Sequence, residues 1–442
     1  MYPLSERSAV TFQDPLPEAV DVVVIGGGII GVSTAFYLLK AGFSVLVCEK
    51  GRIAGEQSSR NWGWVRVTGR DADEVPVAME SLRCWEELTT ELDEPLGFKR
   101  RGVMALTNNE TELADFESWI EVAKHYELDT RLLTRAQLSD HVKVPGEHWK
   151  GALFTPSDGR AEPFLAVPAI ARGVQSRGGL IREQCAVRTL ERRAGEICAV
   201  VTEEGEVRAS QVVVAGGIWS SLFLDNLGIR LPQLGVKGTV VRTDPAPEFF
   251  PGAIGIGDVF LRRREDGGYT IATGHTEHCI GANSFRFLGA FRNSMGVASE
   301  LSISLGRDVT QQGIFKRRWA GDQESPFEQH RVMNPSPSAR GLAKIRKRLA
   351  KHVPQFAELG FAQSWAGMID ATPDVVPVMD RIEALPGLFL ATGFSGHGFG
   401  IGPGAGKVMA GLVANIAQPF DLSRFRFSRF SDGSQIRPGP AI

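Results

Sequence analysis

The 442 residues carry 49 basic and 51 acidic side chains and are 43% hydrophobic. That length and apolar content suit two or three folded domains, and a net charge of −2 gives no global attraction for nucleic acid or anionic lipid. Cys48, Cys84, Cys185, Cys198 and Cys279 are an odd number without Cys-x-x-Cys spacing, which argues against a disulfide scaffold and a metal site and for a reducing compartment.

The amino-terminal residues hold Glu6, Asp14 and several prolines and so lack the apolar core of a signal peptide. No later run is apolar enough to read as a membrane span, and a cytoplasmic location is expected. Residues 22–25 predict a buried strand that runs into Gly26-x-Gly28-x-x-Gly31, with Ile30 in the same turn, and residues 32–40 predict a helix stopped at Ala41-Gly42. Residues 43–48 predict a second strand that ends in Glu49, followed by Lys50. This is the sequence form of a dinucleotide-binding βαβ unit. Gly26 permits the tight turn, Gly28 lets the backbone approach a pyrophosphate, Gly31 lets helix and strand pack closely, and the helix N-terminus favours the anion. A carboxylate at position 49 accepts hydrogen bonds from both ribose hydroxyls and repels a 2′-phosphate, which favours FAD or NAD over NADP.

A loop over residues 51–70, rich in Gly, Ser and Trp, leads to a helical pattern at 75–92. Between 98 and 140 a strand at 103–107 alternates with amphipathic helices, the last capped by Thr134. Residues 163–178 predict a helix, and short strands follow around Val187, 197–201 and Val207. Residues 212–214 form a buried strand feeding a turn at Gly216-Gly217-Ile218-Trp219, a second place for backbone to approach the cofactor. Residues 234–319 alternate like a second, mostly antiparallel sheet. A basic helix from Ser338, a strand near 388–393, a long glycine-rich loop, a helix to Ala417 and a polar tail complete the chain. The basic runs at 262–264, 316–318 and 344–348 read chiefly as solvated faces, although one of the three arginines at 262–264 is placed to point inward, and the later runs leave room for peripheral membrane contact.

The loop from Gly393 to Gly404 is the second informative feature, because it makes another anion-ready helix start. One chain rarely needs two phosphate cradles, whereas the pyrimidine end of a flavin becomes negative on reduction, so the second loop favours FAD over NAD.

In these features the chain resembles the FAD-dependent amine and amino-acid oxidoreductases that include D-amino-acid dehydrogenase, glycine oxidase and sarcosine oxidase. The resemblance rests on the 22–49 unit, Ser58-Ser59-x-Asn61-x-Gly63, Ala215-Gly216-Gly217-Ile218-Trp219, Trp365-Ala366-Gly367 with Thr372-Pro373-Asp374, and the run from Ala391 to Gly398. It implies an α/β fold: a Rossmann-like FAD domain from segments 1–80, 151–233 and 338–442, and a mixed or antiparallel-sheet substrate domain from 81–150 and 234–337. It places Ser58, Ser59, Asn61 and Gly63 along the pyrophosphate and flavin edge, Val187 at the adenine, Gly216 and Trp219 beside the second turn, and Gly393, Gly396, His397, Gly398, Phe399, Gly400 and Ile401 by the flavin. Sarcosine oxidases carry a flavin-linking Cys where this chain has Gly367, which implies non-covalent FAD. Their Lys after Gly-His-Gly-Phe is Gly400 here, and the carboxylate-binding Arg of glycine oxidases is Ile369.

Arg66 falls where sarcosine oxidases bind the substrate carboxylate, and its bland alternative is an internal pair with an acid such as Asp71. His397 and, more weakly, His275 are the acid–base candidates, each balanced by a structural role. Trp62 and Trp64 are candidate pocket walls. The implied reaction oxidises the C–N bond of a D-amino acid, N-alkyl amino acid or opine-like secondary amine by hydride transfer to flavin N5, and the imine then hydrolyses. The implied electron acceptor is O2, a quinone or a partner flavoprotein. Alternatives are the catalytic subunit of a hetero-oligomeric dehydrogenase, or a flavin-binding sensor without turnover.

Overall fold

Valines at 22–24, apolar on both faces, can be satisfied only with protein on either side. In the computed structural model, which describes residues 3–142, 149–292, 300–305 and 315–439, Val22–Ile25 lies inside a six-stranded sheet. The order is Val378–Arg381, Leu388–Thr392, Gln211–Val214, Val22–Ile25, Val45–Glu49 and Leu180–Glu183. All neighbours are parallel except the antiparallel edge strand Val378–Arg381. Helices Ile29–Lys40, Val75–Glu91, Pro163–Ser176 and Gly398–Val413 cover one face through a core that includes Phe36, Leu38, Trp85 and Met409. The other face packs on the three-stranded antiparallel sheet Val187–Arg193, Glu196–Thr202 and Glu206–Arg208, with Leu190, Val200 and Val207 against Val23, Leu46 and Val212.

A second sheet is mixed. Its main path among the described residues runs Phe361–Ala371, Leu234–Thr243, Tyr269–Cys279, Val259–Arg263, Ala253–Ile256, Val103–Thr107, Gly151–Thr155 and Arg131–Thr134, with Leu301–Ser304 paired beside Tyr269–Cys279. Helix Ala339–His352, capped by the Ser338 hydroxyl accepting from Gly341 N–H, packs Ile345 and Leu349 on one face against Leu261 and Ile271. On the opposite face Trp62 and Trp365 pack against Val240 and Ala272.

The segment boundaries differ from those expected in two places. Phe361–Ala371 lies within 338–442, yet it pairs along its length with Leu234–Thr243 in the mixed sheet. Helix Val75–Glu91 continues past residue 80, yet it packs in the core beneath the parallel sheet, because Val77, Leu82, Trp85 and Leu88 are buried on that side. The carboxy-terminal region is docked rather than a simple polar tail: Arg429, 3% exposed, donates to both Asp374 oxygens. Among the described residues no helix is long and apolar enough to cross a membrane.

The stretch after Gly393 also departs from the expected long loop, since the helix begins at Gly398. Gly402, Gly404 and Gly406 face other helices. A Cβ at Gly404 would lie 2.6 Å from the Val77 carbonyl, and one at Gly406 would lie 2.5 Å from Ser33 Cβ and 2.7 Å from Thr34 N. Tertiary contact overrides the poor helix propensity of glycine here. Replacing Gly406 with Val forces these helices apart and is expected to cost about 1–3 kcal/mol, read as a lower urea midpoint at unchanged m-value, whereas an unchanged midpoint would show that the helices are free to separate.

Candidate active site

A cleft opens at the carboxyl ends of the parallel strands, where such sheets place their ligands. At one end Gly26, at φ +112°, turns the chain so tightly that a Cβ would lie 2.5 Å from the Ala215 carbonyl. Gly31 lies on Gly26, its Cβ position 1.9 Å from that residue's carbonyl oxygen. The Glu49 carboxylate accepts from Gly27 N–H and Gly51 N–H, both at 2.7 Å, and burial pushes its pKa above the ordinary value. Ser58 Oγ accepts from Ile29 N–H at 2.9 Å, while the other first-turn amides have no partner within the helix. Lys50 donates to Glu56 at 2.8 Å and lies 4.3 Å from the Trp219 ring centre, and Trp219 Nε1 donates to Glu56 at 2.9 Å. Together they form a fixed wall.

The far end is bounded by Met368, Asp370, Thr392, Phe394, Gly396, Gly398 and Phe399. Asp370 Oδ2 accepts from Gly393 N–H at 2.7 Å, and burial pushes its pKa up to about 6. Gly393 thus acts through the turn. His397 is the N-cap residue of helix Gly398–Val413, whose dipole favours negative charge at this end. The cleft therefore has a helix N-terminus at each end, and Gln57 Oε1 and Ser220 Oγ, on residues lining it, are buried without hydrogen-bond partners among the described residues. A long ligand with a central pyrophosphate and a hydrogen-bonding ring system at one end fits this arrangement of donors and missing side chains.

Residues 21–412 match the family model described as FAD dependent oxidoreductase. The chain belongs to this family. It is 25% identical to the sarcosine oxidase subunit beta of Arthrobacter sp over 449 residues, covering 97% of each chain. It is 25% identical to the glycine oxidase of Geobacillus kaustophilus, covering 92% of this chain and 97% of that one. It spans 47% of the 4-methylaminobutanoate oxidase of Paenarthrobacter nicotinovorans and 42% of the mitochondrial sarcosine dehydrogenase of Mus musculus. Among solved structures, the L-amino acid deaminase of Proteus myxofaciens in complex with anthranilate superposes with a TM-score of 0.92 at 30% identity, covering 96% of this chain and 97% of that one.

In this FAD-dependent oxidoreductase, Gly26, Gly28, Ile30, Glu49, Lys50, Ser58, Asn61, Val187, Gly216, Trp219, Gly396, Gly398 and Phe399 line the cleft. Others support it from behind. Ser59 Oγ accepts from Leu4 N–H, Gly63 packs on Ala161 and Arg262, and Gly400 lies against the backbone of Trp64 and Arg66. Ile401 is buried in the helix core. Gln57, Cys185, Met368 and Asp370 also line the cleft and carry no motif signal. Gly367 stands close to Gln57: a Cβ there would lie 2.1 Å from Gln57 Oε1, so a larger residue needs Gln57 to move.

Arg66 is half-buried beside the Trp64 ring, 5.7 Å from its centre, and Nη1 donates to the Thr68 carbonyl at 2.9 Å. Among the described residues no carboxylate forms an ion pair with it, and Asp71 is taken by Arg424. Burial, and then Arg70, lower its pKa to about 9. Asp158 holds the adjoining turn by accepting from Val67 N–H at 2.7 Å and Thr68 N–H at 3.2 Å. Trp62 stacks on Phe260 at 5.0 Å, and Trp64 meets both edge-on. Arg262 does point inward, but Glu162 closes on it at 2.7 Å with both side chains buried, so it is not left for a substrate. His275 is not brought to the cleft. It is buried among Lys344, Glu277 and Glu300, on the side of the mixed sheet covered by helix Ala339–His352.

With Gly at 367, acid precipitation is expected to leave the flavin in the supernatant, and flavin in the pellet would establish a covalent link elsewhere. Asp370 ionises less readily folded than unfolded, so the stability it contributes is present at low pH and lost as pH rises through about 6. Tm measured from pH 4 to 7 should therefore show D370N gaining on the wild type as pH rises, and a constant difference would remove this buried charge from the account.

Proposed function

We propose that this oxidoreductase oxidises the C–N bond of an α-amino acid, with L-amino acids the first class to test and N-alkyl amino acids the second. The carrying observation is Arg66: among the described residues its guanidinium has no ion-paired carboxylate, and it lies over the Trp64 ring in a cluster with Trp62 and Phe260. A planar donor fork suits a substrate carboxylate, and the aromatic cluster supplies an apolar wall that excludes water. Bound in the cleft, FAD supplies the two-electron acceptor for the C–H bond next to nitrogen. The chain's own task is to orient that bond, keep the amine neutral and favour negative charge at the far end of the cleft. The first-turn amides of Gly398–Val413 serve the last need. His397 is 5% exposed and held below its ordinary pKa by burial and by Arg70, which keeps the ring in the neutral form that a proton acceptor requires. Likeness to L-amino acid deaminase at a TM-score of 0.92 supports the first substrate class. The end-to-end match to a sarcosine oxidase subunit beta supports the second, with a partner subunit as electron acceptor or regulator.

The direct test is anaerobic mixing of the FAD-loaded protein with L-, D- and N-alkyl amino acids. Bleaching by one class names the substrate, readmitted air separates oxidase from dehydrogenase, and no bleaching by any of them refutes the reading. In the R66A variant KM for the bleaching substrate should rise at least about tenfold, roughly 1.4 kcal/mol, with Tm little changed. Unchanged kinetics would take Arg66 out of the substrate site.

A further inference from the structure

Arg66, Arg70 and Glu74 follow one another at four-residue steps and end at the N-cap of helix Val75–Glu91. Glu74 is 0% exposed, and among the described residues neither of its carboxylate oxygens has a hydrogen-bond partner. His397 Nδ1, also without a partner, lies 3.5 Å from Glu74 Oε2. Arg70 is 6% exposed, and among the described residues its Nε and Nη1 have no hydrogen-bond partner. A buried carboxylate and a buried guanidinium, each with unmet hydrogen-bonding capacity, are costly to maintain and call for a reason. What they share is His397, at the amino end of the helix that bounds the cleft.

We propose that Glu74 is a positioning residue for His397, holding the ring with Nδ1 protonated and Nε2 free to accept a proton from the substrate, and that Arg70 is its counter-charge. A carboxylate beside Nδ1 selects the tautomer whose N–H points to it. The charged groups facing the ring are Glu74, Arg70 and Arg66, from the segment after Trp64–Val65, and its own helix adds the positive end of a dipole. Burial and Arg70 favour the neutral ring, while Glu74 favours the charged one. The two side chains thus pull in opposite directions, so their removal must move the ring's ionisation in opposite directions. The chemical role rests on the amine-oxidising reading above, whereas the coupling itself does not.

The test is titration of the 15N-histidine-labelled holoenzyme by two-dimensional NMR, with the His397 signals assigned from H397N. The expected result is an Nδ1–H tautomer in the wild type, ionisation moved to lower pH in E74Q and to higher pH in R70Q, and a wild-type titration retained in E74D. The acid limb of kcat/KM for the bleaching substrate should move in the same directions. An Nε2–H tautomer, a ring that titrates alike in all variants, or an acid limb that stays in place while the ring's titration moves would each overturn the proposal. Should E74Q fail to fold, the wild-type tautomer, R70Q and E74D still decide it. If no amino acid bleaches the wild-type flavin, the functional reading fails, and the NMR titration alone decides the Glu74–His397 coupling.

Discussion

The molecule depends on backbone-to-backbone contact between two helices. Ile29–Lys40 and Gly398–Val413 come from opposite ends of the chain, and they pack so closely that Gly406 has no room for a side chain against Ser33 and Thr34. Helix packing is ordinarily set by side-chain ridges in grooves at 8–10 Å. Removing the ridges brings the axes closer and leads both N-termini to one cleft. Two partial positive charges then serve one extended ligand, the first at the phosphate turn and the second at the far end. Helices from the two ends of a long chain must meet before the cleft exists, so the chain must close a loop of several hundred residues to form it.

Much of the cradle was legible because it rests on local rules. The turn at Gly26-x-Gly28-x-x-Gly31, the strand ending at Glu49, the helix at Pro163–Ser176 and the start of the basic helix at Ser338 each follow from a few neighbouring residues. The helix at Gly398–Val413 was misread as starting with a long loop, since Gly and Pro403 are poor helix formers by themselves and their purpose is the close approach of distant partners. Phe361–Ala371 was legible as a motif, but its sheet was not, because register with Leu234–Thr243 is a contact across more than a hundred residues. Asp370 and Met368, on that strand, reach the cleft by the same long-range route, whereas Gln57 stands beside Ser58 on Gln57–Arg60 and carries no motif of its own. His275 drew notice as a histidine after a strand, and only packing against Lys344 decides which side of the sheet it occupies.

Charge is treated differently around the nucleotide turn and around Arg66, which is not among the residues that line the cleft. Around the nucleotide turn, acids are satisfied by backbone amides, as Glu49 is by Gly27 and Gly51, so they act as clamps. Around Arg66 the pattern is looser. Asp158 is pushed up to about 6 by burial despite its hydrogen bonds to Val67 and Thr68, and Arg66 is brought down to about 9. Groups moved toward neutrality from both directions mark a region where ionisation is costly, the condition under which a bound carboxylate interacts strongly with a single guanidinium.

The strand Phe361–Ala371 belongs by register to the mixed sheet, while its Met368 and Asp370 line the cofactor cleft. One strand therefore carries both the edge of the roof and part of the cradle. Among the described residues the other strands of the mixed sheet, such as Tyr269–Cys279 and Val259–Arg263, contribute no side chain to that cleft. A change of side chain on those strands therefore leaves the lining of the cofactor cleft as it is, and only the shared strand ties the two together.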